Sequence, residues 1–311
     1  MRIVFMGTPD FAVPSLSILV ENGYEIAAVV TAPDKPAGRG RQLRTSAVKN
    51  FAVQQGIPVL QPEKLKDPAF IAHLRSLEAD LFIVVAFRML PGIVWQMPRL
   101  GTFNLHASLL PQYRGAAPIN RAVMNGEKET GLTTFFLQQE IDTGQVLLQE
   151  KISINENETA GELHDRLMET GAQLVFQTVK AIEEGQAQSV PQDILIHAEE
   201  HAGRELKEAP KLFKEDCRIN WSDSLDNIYN LIRGLSPYPA AYTELGGKTL
   251  KVFKSSKEET EHAESAGKFI SDDKTFLKVA VPGGFIHLEE LQLEGKKRMQ
   301  VGEFLKGYRL S

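Results

Sequence analysis

The sequence predicts an α/β fold in which a parallel sheet is covered by helices on both faces, followed by a small β-barrel domain. Three observations support this prediction. Apolar strands alternate with helices along the first part of the chain. These strands are continuous apolar runs, which is typical of parallel strands buried on both faces. The last third instead holds short strands separated by glycine-rich and charged turns, a spacing that favours a small barrel.

The α/β part begins with a strand, a turn and a helix. The strand leads into Gly7-Thr8-Pro9, and the helix ends at Asn22-Gly23. The turn lacks the G-x-G-x-x-G pattern, so a nicotinamide or flavin cofactor is not expected. Thr159, with Glu162 three residues later, predicts a capping box at the start of a long helix. The predicted strands are 2–6, 25–31, 58–60, 81–86, 101–106 and 145–152, and the predicted helices are 11–21, 46–55, 68–77 and 159–184.

A polar stretch divides the chain into two parts. Residues 186–208 have few apolar side chains to bury, so we interpret them as an irregular linker. We therefore predict a catalytic domain at 1–187, a linker at 188–206 and a second domain at 207–311. In the second domain, the predicted helix is 228–235 and the predicted strands are 241–245, 249–254, 276–281 and 285–292.

The composition is that of a soluble globular protein. The 311 residues are 42% hydrophobic and 24% charged, and a formal net charge of −5 argues against a surface that is basic throughout. The single cysteine, Cys217, excludes an internal disulfide framework and a cysteine-rich metal site. The chain opens on a strand rather than a secretion signal, and no run approaches the ~18 apolar residues of a membrane helix. A cytoplasmic location is expected.

No metal site is expected. His197 and His201 lie four residues apart, a spacing that would place both on one face of a helix. The glutamate between them is not in the H-E-x-x-H position, and no third ligand is evident. We interpret both as solvated linker histidines.

A candidate active site lies at the end of the strand that contains Asn104 and His106. The two residues are two apart, so their side chains leave the same face of the strand. An amide donor and an imidazole could hold a carbonyl oxygen as it becomes an oxyanion, while an acid such as Asp142 handles protons. These residue types suggest acyl or formyl transfer. The alternatives are that His106 pins a turn by a backbone hydrogen bond and that Asp142 is only a turn residue.

A basic loop follows the second strand. It carries four cations among glycines and a proline, which makes a segment able to follow a phosphate backbone. Its position near the carboxyl end of a sheet strand favours an RNA substrate held beside the site. The alternative is a solvated surface loop. The four cations are Lys35, Arg39, Arg41 and Arg44.

The motifs together resemble those of a known family. Residues 104–111 and 114–119, with Asp142-Thr143-Gly144, are similar to the signature of the folate-dependent formyltransferases. Residues 5–12, 35–41 and 235–240 narrow the resemblance to the members that act on methionyl-tRNA. The resemblance extends over the whole chain. It implies a Rossmann-like formyltransferase domain followed by an OB-like barrel that helps to hold tRNA.

The resemblance also implies roles for particular residues. Asn104, His106 and Asp142 match the catalytic trio of the family, and the basic loop matches the segment that engages the acceptor stem. The donor would be 10-formyltetrahydrofolate and the acceptor the α-amino group of methionine on initiator tRNA, with no metal, and a monomer is expected. The turn that would contact folate consists of Ser108, Leu109, Leu110 and Pro111.

The chain departs from the family pattern at residues 85–91. This segment is shorter than the family version and places Arg88 near the expected pterin pocket. Other readings of the chain remain open at the level of sequence. They are a glycinamide ribonucleotide formyltransferase, a sugar-nucleotide formyltransferase, a formyltetrahydrofolate hydrolase and a non-catalytic RNA-binding protein.

Overall fold

The protein is described from a computed structural model that covers residues 1–37 and 42–309, without the side chains of 36, 37, 42 and 43. The chain divides into two compact units. Unit 1 consists of Met1–Arg114, Gly131–Ile152 and Asp165–Glu208, and unit 2 consists of Gly115–Thr130, Ser153–His164 and Ala209–Ser311. Two stretches from within 1–187 therefore group with the later part of the chain. The domain boundaries at 187 and 206 remain a prediction.

The elements before residue 210 alternate as the apolar pattern indicates. The strands are β1 Arg2–Gly7, β2 Glu25–Val30, β3 Lys35–Ala37, β4 Gln42–Arg44, β5 Val59–Leu60, β6 Leu81–Val85, β7 Thr102–His106, β8 Arg114–Gly115, β9 Glu129–Phe136, β10 Val146–Ser153 and β11 Glu208–Ala209. The helices are α1 Val13–Glu21, α2 Ala47–Gln54, α3 Pro68–Ser76, α4 Gly92–Trp95, α5 Pro118–Met124, α6 Ala160–Glu183 and α7 Gln192–His201.

The sheet of unit 1 has the strand order β10-β9-β7-β6-β1-β2-β5. The pairs β2–β5, β1–β2, β1–β6 and β6–β7 are parallel, which confirms the predicted parallel core. The pair β7–β9 is antiparallel, so the sheet is mixed, and the prediction of a purely parallel sheet was wrong at this edge. Strand β9 was not predicted, because Gly131, Thr133 and Thr134 interrupt its apolar run.

Local capping explains where several helices begin. The Ser46 hydroxyl accepts a hydrogen bond from the Lys49 amide at the start of α2. At the start of α6, the Glu162 amide donates to the Thr159 hydroxyl at 3.2 Å, and the Thr159 amide donates to the Glu162 carboxylate at 2.8 Å. These two bonds are the predicted capping box.

The segment predicted to be an irregular linker contains helix α7, so this detail of the prediction was wrong. The helix lacks a broad apolar stripe, but polar contacts within unit 1 hold the segment. The side chain of Gln192 is buried, and Glu199 forms a two-point ion pair with Arg204 at 2.6 and 2.9 Å. Hydrogen bonds from Arg204 and Gln112 lower the pKa of Glu199.

Unit 2 is built on an antiparallel sheet. Its strands run in the order β12-β13-β16-β15-β14, with β17 paired to β16, and helix α8 packs against the sheet through the apolar core. The elements are α8 Leu225–Leu235, β12 Ala241–Leu245, β13 Lys248–Glu259, β14 Phe269–Ser271, β15 Leu277–Val281, β16 Gly284–Leu293, β17 Met299–Gln300 and α9 Val301–Gly307. Among the described residues, no helix is long and apolar enough to cross a membrane.

Candidate active site

Strand β7 carries two of the three predicted catalytic residues, Asn104 and His106, at the middle of the mixed sheet. It lies between β6 and β9, and its residues Phe103 and Leu105 are buried in the sheet. Asn104 and His106 leave the opposite face from these two apolar residues, because side chains alternate along a strand. Asn104 is half-buried and His106 is only 6% exposed. The imidazole is therefore held inside the fold at the carboxyl end of β7.

The His106 ring is oriented by a backbone carbonyl. Its Nε2 lies 2.9 Å from the carbonyl oxygen of Tyr113. A carbonyl can only accept, so Nε2 is the donor in this bond. Tyr113 has a φ of +58°, a left-handed conformation that aims its carbonyl at the ring. The turn-pinning bond considered for His106 is thus present, and it leaves Nδ1 as the ring nitrogen that this bond does not use.

The other ring nitrogen faces Asp142. The distance from His106 Nδ1 to Asp142 Oδ2 is 4.0 Å, and both side chains are largely buried. This separation is too long for a hydrogen bond, but it is within ion-pair distance when the imidazole is protonated. The structure thus brings together two members of the predicted trio and places Asn104 on the same strand face as one of them.

The connection between β9 and β10 carries Asp142 to this position. Strand β9 ends at Phe136, which pairs with Phe103, three residues before His106 and therefore about 10 Å away along β7. The connection must run back along β7 to reach the imidazole. Asp142 adopts a φ of +55°, and Gly144 lies so close to β9 that an added Cβ would be 1.6 Å from the Phe136 carbonyl oxygen.

One residue in this region was missed by the sequence analysis. Gln192, at the start of α7, contacts the backbone of the Asp142 connection and the side chain of Arg114. It lies in the stretch interpreted as a linker, about fifty positions from Asp142 along the chain. No motif marks it, and the weak apolar pattern of α7 gives no other signal in the sequence.

The predicted folate-contacting turn directly follows β7. Three of its residues are buried, and Leu109 is the partly exposed one. The Ser108 hydroxyl donates to the Gln112 carbonyl at 2.6 Å, and the Leu110 amide donates to the Thr133 hydroxyl at 3.0 Å. The turn is therefore held in place by bonds within the protein, and its one polar side chain, that of Ser108, already has a partner. Its members are Ser108, Leu109, Leu110 and Pro111.

The segment that follows β6 lines an open cavity of about 560 Å³. The cavity is bounded by residues 88–93 and by Leu65 and Lys66. The Arg88 guanidinium donates to the carbonyls of Pro62 and Glu63, the latter at 2.9 Å. Arg88 is therefore bound to backbone oxygens of a neighbouring loop rather than to a carboxylate. Since β6 and β7 are parallel neighbours, this segment and the turn after β7 leave the same edge of the sheet.

The basic loop is described only at its two ends. Strands β3 and β4 form a hairpin in which Lys35 pairs with Arg44, and both side chains are exposed. The predictions for Arg39 and Arg41 lie outside the described residues. Just before the hairpin, hydrogen bonds from Lys49 and Gln61 lower the pKa of Asp34, which anchors the base of the hairpin on α2.

Other candidate ligands do not converge. The His197 ring contacts Glu200 at 3.1 Å, whereas the His201 ring contacts the His197 carbonyl, and both rings are exposed. Cys217 is buried, and burial raises the pKa of its thiol. Within residues 1–37 and 42–309, no group of three or more histidine, cysteine or acidic side chains could hold a metal ion.

Sequence comparison places the chain in a family. The family described as Formyl transferase matches residues 1–179, and the one described as Formyl transferase, C-terminal domain matches residues 211–309. The chain therefore belongs to the formyl transferases.

Among its curated relatives are proteins named methionyl-tRNA formyltransferase. The one from Phocaeicola vulgatus is 57% identical over 317 residues, covering 100% of this chain and 97% of the relative. The one from Bacteroides fragilis strain YCH46 is 54% identical over 316 residues, covering 100% of this chain and 96% of the relative.

Solved structures share the fold at lower identity. HypX from Aquifex aeolicus in complex with tetrahydrofolic acid has a TM-score of 0.66 and 20% identity, covering 99% of this chain and 48% of that one. WlaRD, a sugar 3N-formyl transferase, has a TM-score of 0.66 and 20% identity, covering 96% and 99%. At 20% identity, the similarity to these two structures shows a shared fold and nothing about activity.

Proposed function

We propose that the chain transfers the formyl group of 10-formyltetrahydrofolate to the α-amino group of methionine on initiator tRNA. The product is the formylmethionyl-tRNA that begins translation. The observation that carries this proposal is the His106–Asp142 pair at the end of β7, in a chain that matches methionyl-tRNA formyltransferases from end to end. No metal or nicotinamide is part of the proposed reaction.

The reaction is an attack by a neutral amine on the formyl carbon. The amine nitrogen forms a bond to carbon, and the carbonyl oxygen becomes an oxyanion. Asn104 and the protonated form of His106, which donates through Nδ1–H, stabilise this oxyanion. Asp142 accepts the amine proton directly or through water. The bond between carbon and the folate nitrogen then breaks, and that nitrogen takes up a proton as it leaves.

We assign the donor to the sheet edge where β6 and β7 end. The turn from Ser108 to Pro111 supplies a rigid wall, and the cavity along residues 88–93 supplies an apolar surface with Met89 and Ile93 exposed. Arg88 holds the short segment after β6 in place through the carbonyls of Pro62 and Glu63. The shortening of this segment therefore changes the shape of the donor site, while the chemistry at His106 is unaffected.

We assign the acceptor stem of tRNA to the basic loop. The hairpin of β3 and β4 follows β2, which ends at the same edge as β7 because β2, β1, β6 and β7 are successive parallel neighbours. Three strand spacings separate β2 from β7, about 14 Å. The exposed cations Lys35 and Arg44 pair at the base of the hairpin, and Arg39 and Arg41 complete the proposed contact set.

We infer that residues 207–311 form an OB-like barrel that binds tRNA, joined by residues 188–206 to a catalytic domain at 1–187. The pairing of β13 with β16 supports this proposal: the two strands form a long antiparallel pair, and its register shifts between Val252 and Ser255. Such shifts are bulges that bend a strand and help a sheet to curl. We further propose that the enzyme is cytoplasmic and monomeric; light scattering of the purified protein tests the oligomeric state.

A direct assay tests the proposed function. The protein is offered 10-formyltetrahydrofolate with methionyl-tRNA and, separately, with glycinamide ribonucleotide, an amino sugar nucleotide and water alone. Formylation of methionyl-tRNA at least ~100-fold faster than of the small amines is the expected result. Turnover of a small amine or hydrolysis in preference to the tRNA substrate would replace this function with one of the other folate-dependent reactions, and no turnover would favour a binding protein.

A further inference from the structure

Gln192 is a fully satisfied buried amide in a segment that otherwise looks like a linker. Its side chain is 3% exposed. The Nε2 group donates to the carbonyl oxygens of Asp142 at 2.9 Å and Gly144 at 2.8 Å. The Oε1 atom accepts from Arg114 twice, at 3.1 Å from Nε and 2.6 Å from Nη2. A carboxamide has two donor hydrogens and two acceptor lone pairs, and here all four are used.

These four bonds join the two chain segments that surround the imidazole. One segment contains Tyr113, whose carbonyl holds His106 Nε2, and Arg114 is the next residue along the chain. The other segment contains Asp142, which faces His106 Nδ1. Gln192 therefore links the residue beside the Nε2 partner to the backbone of the Nδ1 partner.

The same segment makes a second attachment to the Tyr113 side. The Tyr113 amide donates to the Lys207 carbonyl at 2.6 Å, and the Lys207 amide donates to the Gln112 side chain at 3.0 Å. Gln112 also donates to Glu199 of α7 at 2.9 Å. The stretch from Gln192 to Lys207 thus forms hydrogen bonds with both segments that hold His106 in place: the one that contains Tyr113 and the one that contains Asp142.

The connection that carries Asp142 requires such support. It runs back along β7 and holds Asp142 in a left-handed conformation, which is unfavourable for a residue with a side chain, although less so for aspartate than for most. Two of its carbonyl groups are bound by a single side chain from α7. Removing that side chain frees the connection at the residue whose carboxylate must face His106.

We propose that Gln192 is a positioning residue for the proposed formyl transfer: it fixes Asp142 relative to His106 by linking the Asp142 connection to Arg114. This inference rests on the proposed function, since it assigns Gln192 a part in that reaction. Gln192 touches neither substrate nor the reacting atoms, so it affects the rate only through Asp142. A buried amide that merely stabilised the fold would lack this dependence.

Two substitutions and one control test the inference. Gln192→Met keeps the approximate size of the side chain and removes all four bonds. Gln192→Glu keeps an acceptor for Arg114 and loses both donors to the Asp142 connection. The control is Asp193→Ala, an exposed position on the same helix. Each is measured in the full-length protein, both alone and combined with Asp142→Asn.

The expected result is a double-mutant cycle with strong coupling. Gln192→Met and Gln192→Glu each lower kcat for methionyl-tRNA by about 10- to 100-fold, as expected when a catalytic group is displaced by about 1 Å. The KM for either substrate changes less than about threefold. In the Asp142→Asn background the same substitutions lower kcat by less than about threefold, and Asp193→Ala changes nothing in either background.

Equal losses in both backgrounds would overturn the inference, because they would show that Gln192 does not act through Asp142. Wild-type kcat in a folded Gln192 variant would overturn it as well. If Gln192→Met does not fold, Gln192→Glu decides, since its carboxylate pairs with the half-buried guanidinium of Arg114. A wild-type protein that fails to formylate methionyl-tRNA would instead refute the proposed function, so the two failures are distinguished before any variant is compared.

Discussion

Replacing Gly144 with alanine should disable the enzyme without unfolding it. The alanine Cβ would stand 1.6 Å from the Phe136 carbonyl oxygen, where real Cβ atoms come no closer than 3.0 Å, so one of the two must move by about 1.4 Å. The oxygen belongs to strand β9, which its pairing with β7 holds in place. The Asp142 connection is therefore the part that moves.

The size of this movement sets the expected loss. A shift of about 1 Å in a catalytic group costs up to ~100-fold in rate, so we expect kcat for methionyl-tRNA to fall by about 10- to 100-fold. The backbone shift that relieves the overlap should lower the free energy of unfolding by about 1–3 kcal/mol, which leaves the protein folded at 25 °C. KM for the donor should stay close to that of the wild type, because the turn after β7 is not displaced.

The assay compares single-turnover formylation rates and thermal unfolding of the variant and a control. The control is Gly302→Ala, in helix α9. The new Cβ there would meet only the Lys274 carbonyl oxygen, at 4.0 Å. Wild-type kcat in Gly144→Ala, with an unfolding temperature lowered by a few degrees, would refute the reasoning: it would mean that the position of Asp142 tolerates displacement.

Three further predictions follow from the site and its support. Asp142→Asn should lower kcat by at least ~10² with the unfolding temperature unchanged, and near-normal turnover in single-turnover kinetics would contradict its role. Arg44→Ala should weaken tRNA binding and flatten the slope of log K against log salt by up to ~0.9, leaving folate affinity unchanged, whereas the exposed Arg75→Ala should alter neither. Because the pKa of Glu199 is lowered in the fold, its contribution to stability is present above the unfolded carboxyl pKa of about 4.3 and is lost as pH falls. Glu199→Gln should therefore lower the unfolding temperature by about 2 °C at pH 7 and by progressively less below pH 4.

The sequence was sufficient to predict elements that depend on patterns among residues close together in the chain. The buried strands β1 and β6 are unbroken apolar runs, and the Thr159–Glu162 capping box is a local motif, so both could be predicted. Asn104 and His106 could be placed together because strand alternation is a local rule.

Long-range polar contacts were beyond the sequence. Helix α7 is stabilised by Gln192, Glu199 and their partners dozens of residues away, and its apolar pattern is weak. Strand β9 contains Gly131 because a Cβ there would overlap the Glu150 carbonyl oxygen, at 2.2 Å. That requirement appears only once the neighbouring strand is in place. The approach of Asp142 to His106 likewise depends on a connection whose course no local rule determines.

The bond from His106 to the carbonyl of Tyr113 means that the orientation of the imidazole is specified by backbone shape. A side-chain partner can be lost by one substitution, whereas every amino acid at position 113 carries a carbonyl. For this bond, position 113 must preserve its left-handed φ of +58°. Glycine and asparagine adopt that conformation readily, but valine and isoleucine resist it. A substitution at position 113 therefore acts on the imidazole through backbone conformation, and a β-branched residue there should disturb the ring more than asparagine would, beyond the packing that either loses with the buried tyrosine ring.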